Sequence, residues 1–376
     1  MNPQHHLLYE RLYNYVLDDI QKGSLRSGDR VPSEKELALK HGVSRITSMR
    51  ALQNLERAGF VERIRGKGTF VARDLGRLAE VGDGERPPRS RRLTSRIAFL
   101  LPDASPAYGL ELLNAIEERA DENGLSLVLK RSRGEQEEEE RAIKALVRSD
   151  SVDGLIVFPV NGEFYNASLL RLALAKSPLV LVDRNLKGIA ASSVYTDNLA
   201  ASRELTGYVL DAGHKHVAFV SSPPANTSSI EDRLHGFRAA FSQRGLGLDR
   251  QHLLTELNCG FPNPESRIPA DHAAIRAFLE SHESITGFVA SEYPIALIIR
   301  DVLRDLQRHQ ETMISCFDSP RGQFVEPRFT HIQQNEREIG RRAVDLLLAQ
   351  LDGQQTPSQS IVPYKLMIVP AAAAVP

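Results

Sequence analysis

From Arg96 onward the sequence alternates short apolar runs with amphipathic ones, and it does so twice. RIAFLLPD, LSLVLKRS, GLIVFPV and LVLVDR read as strands, with helices at GLELLNAIEERADENG, ERAIKALVRS and ASLLRLALAKS between them. A continuous apolar run suits a strand buried on both faces. Strands separated by helices run parallel, because each helix carries the chain back across the sheet. The pattern then restarts with HVAFVSSP, a helix through RLHGFRAAFSQRG, LLTELNC, a helix at DHAAIRAFLESH, GFVASE, a helix at ALIIRDVLRDL, and ETMISCFDSP. Two doubly wound α/β lobes of like construction are therefore expected, hinged, with a cleft between them. Ligands in such sheets sit beyond the carboxyl ends of the strands.

The preceding part of the chain is of another kind. At 376 residues the protein is too long for one core. Its net charge of −1 hides +7 over residues 1–96 and therefore −8 over the rest. A basic quarter on an acidic body points to a polyanion as the partner of the first part. Leu7, Leu8, Leu12, Tyr15, Val16 and Ile20 recur at helical spacing, which predicts a helix over 5–22. Ser33 and Glu36 have the S-x-x-E spacing of a capping box at the head of EKELALKH. Gly42 supplies a turn, and Ser44 caps a third helix to about residue 58, with Leu52 and Leu55 facing inward. Two short helices joined in this way make a helix-turn-helix. FVERI and TFVA flank Arg65-Gly66-Lys67-Gly68, a hairpin with a basic, glycine-tipped turn. A core helix has no use for Ser44, Arg45, Thr47 and Arg50 bunched near its start. Pressed into a DNA groove, arginine grips guanine edges, while hydroxyls and the helix N-terminus meet phosphates. Arg65 and Lys67 supply charge at the wing.

GSLRSGDRVPSEKELALKHGVSRITSMRALQNLERAGFVERIRGKGTFV resembles the DNA-binding domain of GntR-type bacterial repressors over nearly its whole length. The resemblance implies that Lys35, Ser44, Arg45, Thr47 and Lys67 contact DNA. It departs at one place: the family reads V-S-R-x-T-V-R, whereas this chain has Ser48-Met49 and then Arg50. Either Arg50 takes over part of the second arginine's contact or the operator differs at that base pair.

Residues 73–95, with Gly76, Gly82, Gly84, Pro87 and Pro88, read as an exposed tether whose Arg89, Arg91 and Arg92 are solvated. Beyond it, VDGLIVFP, LVLVDRN, SVYTDNLAAS, GHKHVAFVSS, RLHGFRAAF, ISCFD and THIQQNEREIG resemble the effector domain of LacI/GalR-type regulators over about 96–370. That domain is similar in turn to periplasmic sugar-binding proteins. The combination of the two parts resembles bacterial arabinose repressors, which implies a sugar effector, with L-arabinose or another pentose as the first candidate. Strand-end positions offer Asp103, Tyr108, Asn161, Asp183 or Arg184, Arg233, Phe261, Glu292, Asp318 and Gln334. Bidentate groups such as Arg233 and Asp318 suit sugar hydroxyls, while Tyr108 and Phe261 suit a sugar's apolar face. The resemblance favours Arg233, Asp318 and Gln334. It departs at Ala290-Ser291-Glu292, where the family shows Ala-Asn-Asp, so an amide contact from position 291 is lost.

Other functions find little support. No G-x-S-x-G, Walker or G-x-G-x-x-G motif follows a strand, so neither a catalytic role nor a cofactor is expected. Cys259 and Cys316 are too few for a disulfide framework, and no Cys/His spacing suits a metal. The acidic run GEQEEEE reads as a solvated helix start, and AAAAVP as a loose tail. The N-terminus has no secretory pattern and no run is long enough to span a bilayer, so the cytoplasm is expected. The fold class is α/β overall: a winged helix-turn-helix over 1–72, a linker over 73–95, and a two-lobed periplasmic-binding-protein-like domain over 96–370. The expected function is a transcriptional regulator, a repressor whose operator affinity a sugar controls, acting as a homodimer. A corepressor-dependent regulator, or an activator responding to a non-sugar metabolite, is the alternative.

Overall fold

The computed structural model describes residues 12–13, 15–20, 23–57, 60–64, 67–72, 96–148, 151–162, 166–186, 191–258, 267–322 and 325–370. The start of the first helix, Arg65, the 73–95 tether, Cys259, Phe261 and the tail from 371 lie outside the described residues. By contact the chain forms two compact units. One holds residues 1–93 with 164–177 and 186–190; the other holds 94–163, 178–185 and 191–376. Among the described residues no helix is long and apolar enough to cross a membrane.

In the first unit, residues 15–20 are helical and are followed by α1 (Glu34–His41) and α2 (Arg45–Arg57). The capping box at Ser33 forms in both directions: Glu36 N–H donates to Ser33 Oγ (3.3 Å) and Ser33 N–H to Glu36 Oε2 (2.6 Å). Gly42 closes α1 at φ +63°, a left-handed conformation that costs glycine nothing. Ala51, Leu52 and Leu55 of α2 are buried, as their spacing predicts. The wing is β1 (Val61–Ile64) paired antiparallel with β2 (Gly68–Val71), in register Ile64 with Gly68. Residues 28–31 lie along β2: Val31 N–H donates to Thr69 O (2.9 Å) and Val71 N–H to Asp29 O (2.8 Å).

The second unit contains two six-stranded sheets. In chain order its elements are β3 (Arg96–Leu101), α3 (Leu110–Glu122), β4 (Ser126–Arg131), α4 (Gln136–Arg148), β5 (Gly154–Val157), β6 (Leu179–Val182), β7 (Ser192–Thr196), α6 (Asn198–Asp211), β8 (Val217–Val220), α7 (Ser228–Gln243), β9 (Leu253–Leu254), α8 (Ile268–Ser281), β10 (Gly287–Ala290), α9 (Tyr293–Asp305), β11 (Met313–Phe317), β12 (Thr330–Gln333), α10 (Glu336–Leu351), β13 (Gln359–Val362) and β14 (Lys365–Met367). The helix joining β5 to β6, α5 (Ala167–Leu174), groups with the first unit and is capped by Asn166 Oδ1, which accepts from Ser168 and Leu169 N–H (both 3.0 Å). Strand order is β13-β7-β6-β5-β3-β4 in the first lobe and β14-β12-β11-β10-β8-β9 in the second. Every pairing is parallel except β14 on β12. The expected strand LLTELNC shrinks to two residues; beyond them Leu257 N–H donates to Ser221 O (3.2 Å) and Asn258 N–H to the Asp271 carboxylate (3.0 Å).

The lobes exchange helices. After β7 in the first sheet the chain crosses to α6, whose Ala201, Leu205 and Val209 pack with Phe219, Phe237 and Ile332 of the second lobe. After β12 it crosses back to α10, whose Ile339, Val344 and Leu347 join Ile97, Phe99, Ile156 and Val180 in the first. A third crossing leads from β13 to β14. Both crossing helices are capped at the hinge: Asp197 Oδ1 accepts from Ala200 N–H (2.9 Å), and Asn335 Oδ1 from Glu338 N–H (3.2 Å). Where α6 crosses α7, the glycine of R-x-x-G-F is the point of contact. A Cβ on Gly236 would lie 2.2 Å from Leu199 O.

The acidic run 134–140 does begin α4, but Glu139 is not solvated as expected. It is buried, and its carboxylate accepts the Val160 N–H (2.9 Å), so helix α4 holds the strand-end loop that carries Asn161.

Candidate functional site

On the first unit, Ser44 caps α2 by accepting the Thr47 N–H (3.1 Å). Lys35, Ser44, Arg45, Arg50 and Lys67 are exposed. Thr47 departs from the expectation of an exposed hydroxyl. It is 3% exposed, with Oγ1 2.7 Å from Ser44 Oγ, and so braces the cap from beneath. Ser48, where the family resemblance calls for valine, is also buried; its hydroxyl donates to Glu34 O (2.7 Å) and ties α2 to α1. Arg50 lies five residues after Arg45, about 140° around the helix, so the two arginines address different sides. Met49, half-buried, occupies the side nearer Arg45. Beside these polar groups Leu39 and Ile46 are left 84% and 63% exposed. Glu34 organises the cations, lying 3.6 Å from Arg45 Nε and 3.1 Å from Arg63 Nη2. At the wing tip Lys67 N–H donates to Ile64 O (3.0 Å), and Gly68 takes φ +119°.

In the second unit the strand ends of the two lobes face a common cleft. Asp183 directly follows β6 and Asp318 directly follows β11, the corresponding strands of the two sheets. Both have left-handed backbones, at φ +68° and +62°. Each backbone N–H reaches the neighbouring strand, Asp183 to Val194 O (3.0 Å) and Asp318 to Ile332 O (2.8 Å). Such a conformation is sparsely populated outside glycine and concentrates at binding sites. Both carboxylates line the cleft.

Of the sequence-derived effector residues, Tyr108, Arg233, Glu292, Asp318 and Gln334 come together there. Tyr108 Oη donates to Asp183 Oδ1 (2.6 Å). Arg233 donates to Asn198 Oδ1 (2.8 Å) and Ser291 O (2.6 Å), with its guanidinium 3.9 Å from the Phe317 ring centre. Gln334 donates from Nε2 to Asp318 Oδ2 (2.7 Å) and from its backbone to Oδ1 (3.2 Å); its own Oε1 is buried without a hydrogen bond among the described residues. Asn161 does not line the cleft but accepts from Arg184 Nη2 (2.7 Å), placing that guanidinium over Phe158. Asp103 pairs with Arg131 (2.6 Å) and is not in the cleft lining. Sequence reasoning left Asp183 and Arg184 as alternatives, and both line the cleft. It missed Phe158, Ser229, Tyr293 and Phe317. Phe158 and Phe317 end strand runs, a position that could have drawn notice; nothing marked Ser229.

The wall behind Asp318 is electrostatically tense. Burial raises the Asp318 carboxyl to about 6, opposed by Arg233 and Gln334. Glu336, at the second crossing, is pushed to about 8 by burial and then by the charge of Asp318. Its Oε2 accepts the Gly109 N–H (2.6 Å) and its Oε1 lies 3.2 Å from Arg321. Burial and then Asp183 lift the Tyr108 phenol well above its ordinary value, so it acts as a donor.

Comparison with known proteins follows the same division. Residues 8–71 match the family of bacterial regulatory proteins, gntR family. Residues 206–369 match the periplasmic binding protein-like domain. The chain joins a GntR-type helix-turn-helix domain to a periplasmic binding protein-like domain. Its relatives run nearly its full length. The arabinose metabolism transcriptional repressor of Halalkalibacterium halodurans is 25% identical over 92% of this chain and 91% of its own. The HTH-type transcriptional repressor CytR of Escherichia coli (strain K12) is 26% identical over 87% of this chain and 92% of its own. Among solved structures, a transcriptional regulator CelR–cellobiose complex superposes with a TM-score of 0.65 at 22% identity, covering 90% of this chain and 99% of that one. These relatives are named as transcriptional regulators.

Proposed function

We propose that the protein is a transcriptional repressor whose operator affinity is set by a small sugar-like effector held between the two lobes. The observation that carries this reading is the presence, in one chain, of a winged helix-turn-helix exposing Ser44, Arg45 and Lys67 and a two-lobed cleft lined by Tyr108, Arg233, Asp318 and Gln334. Residues 1–72 read DNA, 73–95 transmit, and 96–370 receive. Arg45 takes a guanine edge, Ile46 meets a thymine methyl, and Lys35, Ser44, Arg50 and the wing residues Arg65 and Lys67 hold phosphates. The head acts as a homodimer on a pseudo-palindromic operator. The effector spans the lobes through Arg233, Asp318 and Gln334, with Tyr108 and Glu292 at its rim and Phe261 and Asn161 supporting. Arabinose is the first sugar to try, given the relative named for arabinose metabolism. Control follows from unequal effector affinity for the two lobe arrangements, which shifts the population that binds DNA.

The test is selection of duplexes from a random pool by the full chain, then binding of the selected duplex with and without sugars. Enrichment of a two-fold symmetric site, released by one sugar, is the expected result. Failure to enrich any sequence would remove the regulator reading.

A further inference from the structure

We infer that Thr227 and Ser228, at the start of α7, form a clasp whose hydroxyls fasten the second lobe to the first and set how much of the receptor is closed. The inference rests on the reading of the two lobes as a hinged receptor and names the residues that hold it shut.

The start of α7 departs from that of other helices in the same unit and beside it. Helices α5, α6 and α10 each begin with a side chain that accepts amides of its own first turn, from Asn166, Asp197 and Asn335. Thr227 holds the corresponding N-cap position of α7, yet its side chain accepts no amide of its own helix. A threonine there ordinarily caps the helix it starts. Its Oγ1 instead accepts the Gly162 N–H from the first lobe (3.1 Å). Ser228, the next residue, accepts the Asn185 N–H, also from the first lobe, with its Oγ (3.1 Å). Gly162 lies in the loop after β5 and Asn185 in the one after β6, so both donors come from the carboxyl ends of neighbouring strands. Thr227 and Ser228 are each 1% exposed, so water does not compete for the two bonds while the lobes are together.

Both sides of the clasp are stiff. Ahead of α7, Asn226 takes a left-handed backbone at φ +66°, with its N–H held by Glu231 Oε1 (2.8 Å), and Thr227 N–H donates to Pro224 O (3.0 Å). In the first lobe Gly162 sits at φ +82°, two residues beyond the Val160 N–H that the buried Glu139 holds (2.9 Å). Asn161 between them accepts from Arg184, which ties the loop after β5 to the loop after β6. Edges already ordered lose little freedom when they meet.

The place of the clasp gives it a consequence. Ser229 and Arg184 line the cleft and directly adjoin Ser228 and Asn185 in sequence, whereas Thr227 and Ser228 are not in its lining. They are positioning residues: fastening them sets Ser229 and Arg184 against an occupant that they do not touch themselves. An occupant reaching both lobes needs the closed arrangement, so its apparent affinity follows the closed fraction. Each bond, at ordinary net strength, shifts the ratio of closed to open by about fivefold. The ion pair of Arg267 with Glu135 (3.5 Å) also joins the lobes but is about half exposed, and such pairs contribute little.

The experiment measures the separation of the lobes by pulsed electron–electron resonance on the full chain, without sugar or DNA. Spin labels go on Lys130→Cys, in edge strand β4, and Glu256→Cys, just beyond edge strand β9, both exposed, with Cys259→Ala and Cys316→Ala as background. A single short separation is expected for this background. Adding Thr227→Val with Ser228→Ala should move most of the distribution to longer distances, whereas Thr227→Ser, which keeps the oxygen, should leave it short. Equal distributions with and without the two hydroxyls overturn the clasp, as does an equal shift in Thr227→Ser. A lower thermal midpoint with unchanged distances overturns it too, because the hydroxyls would then only brace α7. Neither sugar nor operator enters the measurement, so its failure leaves the regulator reading standing, and failure to select any duplex leaves the clasp standing.

Discussion

Glu336→Gln is the sharpest perturbation of the hinge. The side chain is 2% exposed, and its carboxyl is raised from 4.5 to about 8 by burial and by Asp318, against Arg321 and the amides of Gly109 and Leu112. The folded protein thus holds this proton more tightly than the unfolded chain does. Its contribution to stability is fully present below about pH 4.5 and is lost as pH rises through about 8. A gap of roughly 3.5 pH units corresponds to roughly 5 kcal/mol at the extreme. Glutamine is neutral throughout, still offers an oxygen to Gly109, and loses the Arg321 pair. Asp318, raised to about 6, titrates within the same window in both proteins, so the difference between them isolates position 336. The chain has no tryptophan, so far-UV circular dichroism serves as the probe. Between pH 5 and 9 the wild-type midpoint should fall relative to the variant by roughly 10 °C. Parallel profiles, or a wild type that gains on the variant as pH rises, would refute the claim that a costly buried charge sits at the crossing.

Other substitutions separate the two machines. Arg45→Ala should weaken operator binding by at least about tenfold while calorimetric effector affinity stays at the wild-type value; retained selectivity would mean that Arg45 reads nothing. Arg233→Ala should do the reverse, abolishing effector binding and leaving operator affinity intact, and an unchanged binding isotherm would remove it from the cleft. Gly236→Ala drives a methyl against Leu199 O at 2.2 Å and should cost about 3 kcal/mol or more in urea unfolding of the receptor, since backbone must move. A loss below about 1 kcal/mol would show that α6 and α7 slide apart easily. Ser33→Ala deletes half of the capping box and should lower the head's stability by about 1 kcal/mol, with no change as the contrary result.

Much of this architecture is legible locally. The capping box, the Gly42 turn and the basic hairpin are written in contiguous residues, and the inner strands β3, β5, β6, β8, β10 and β11 announce themselves as apolar runs. What resists reading is the exchange between lobes. Helix α6 buries Asn198, Ala201, Ser202, Leu205, Thr206, Gly207, Val209 and Leu210, so it shows little of the one-sided periodicity that marks a surface helix. Strands β7, β13 and β14 are short and partly polar, and their pairings join residues far apart in sequence. The cleft shows the same limit. Arg233, Asp318 and Gln334 stand out beside strand ends and in a familiar motif, whereas Phe158 and Phe317 look like ordinary core. Thr47 and Glu139 mislead in the opposite sense, since polar residues at exposed-looking positions turn inward to hold a cap and a loop.

The central claim is that one molecule couples its effector cleft to its DNA-reading head, and linkage gives the direct measurement. Effector affinity should be determined by calorimetry on the free protein and on its complex with saturating operator. If effector weakens operator binding by a given factor, operator must weaken effector binding by the same factor, on the order of 5- to 150-fold for couplings of ordinary size. Matching factors are predicted. Identical effector affinities with and without operator would contradict the account, since head and receptor would then share a chain without exchanging free energy.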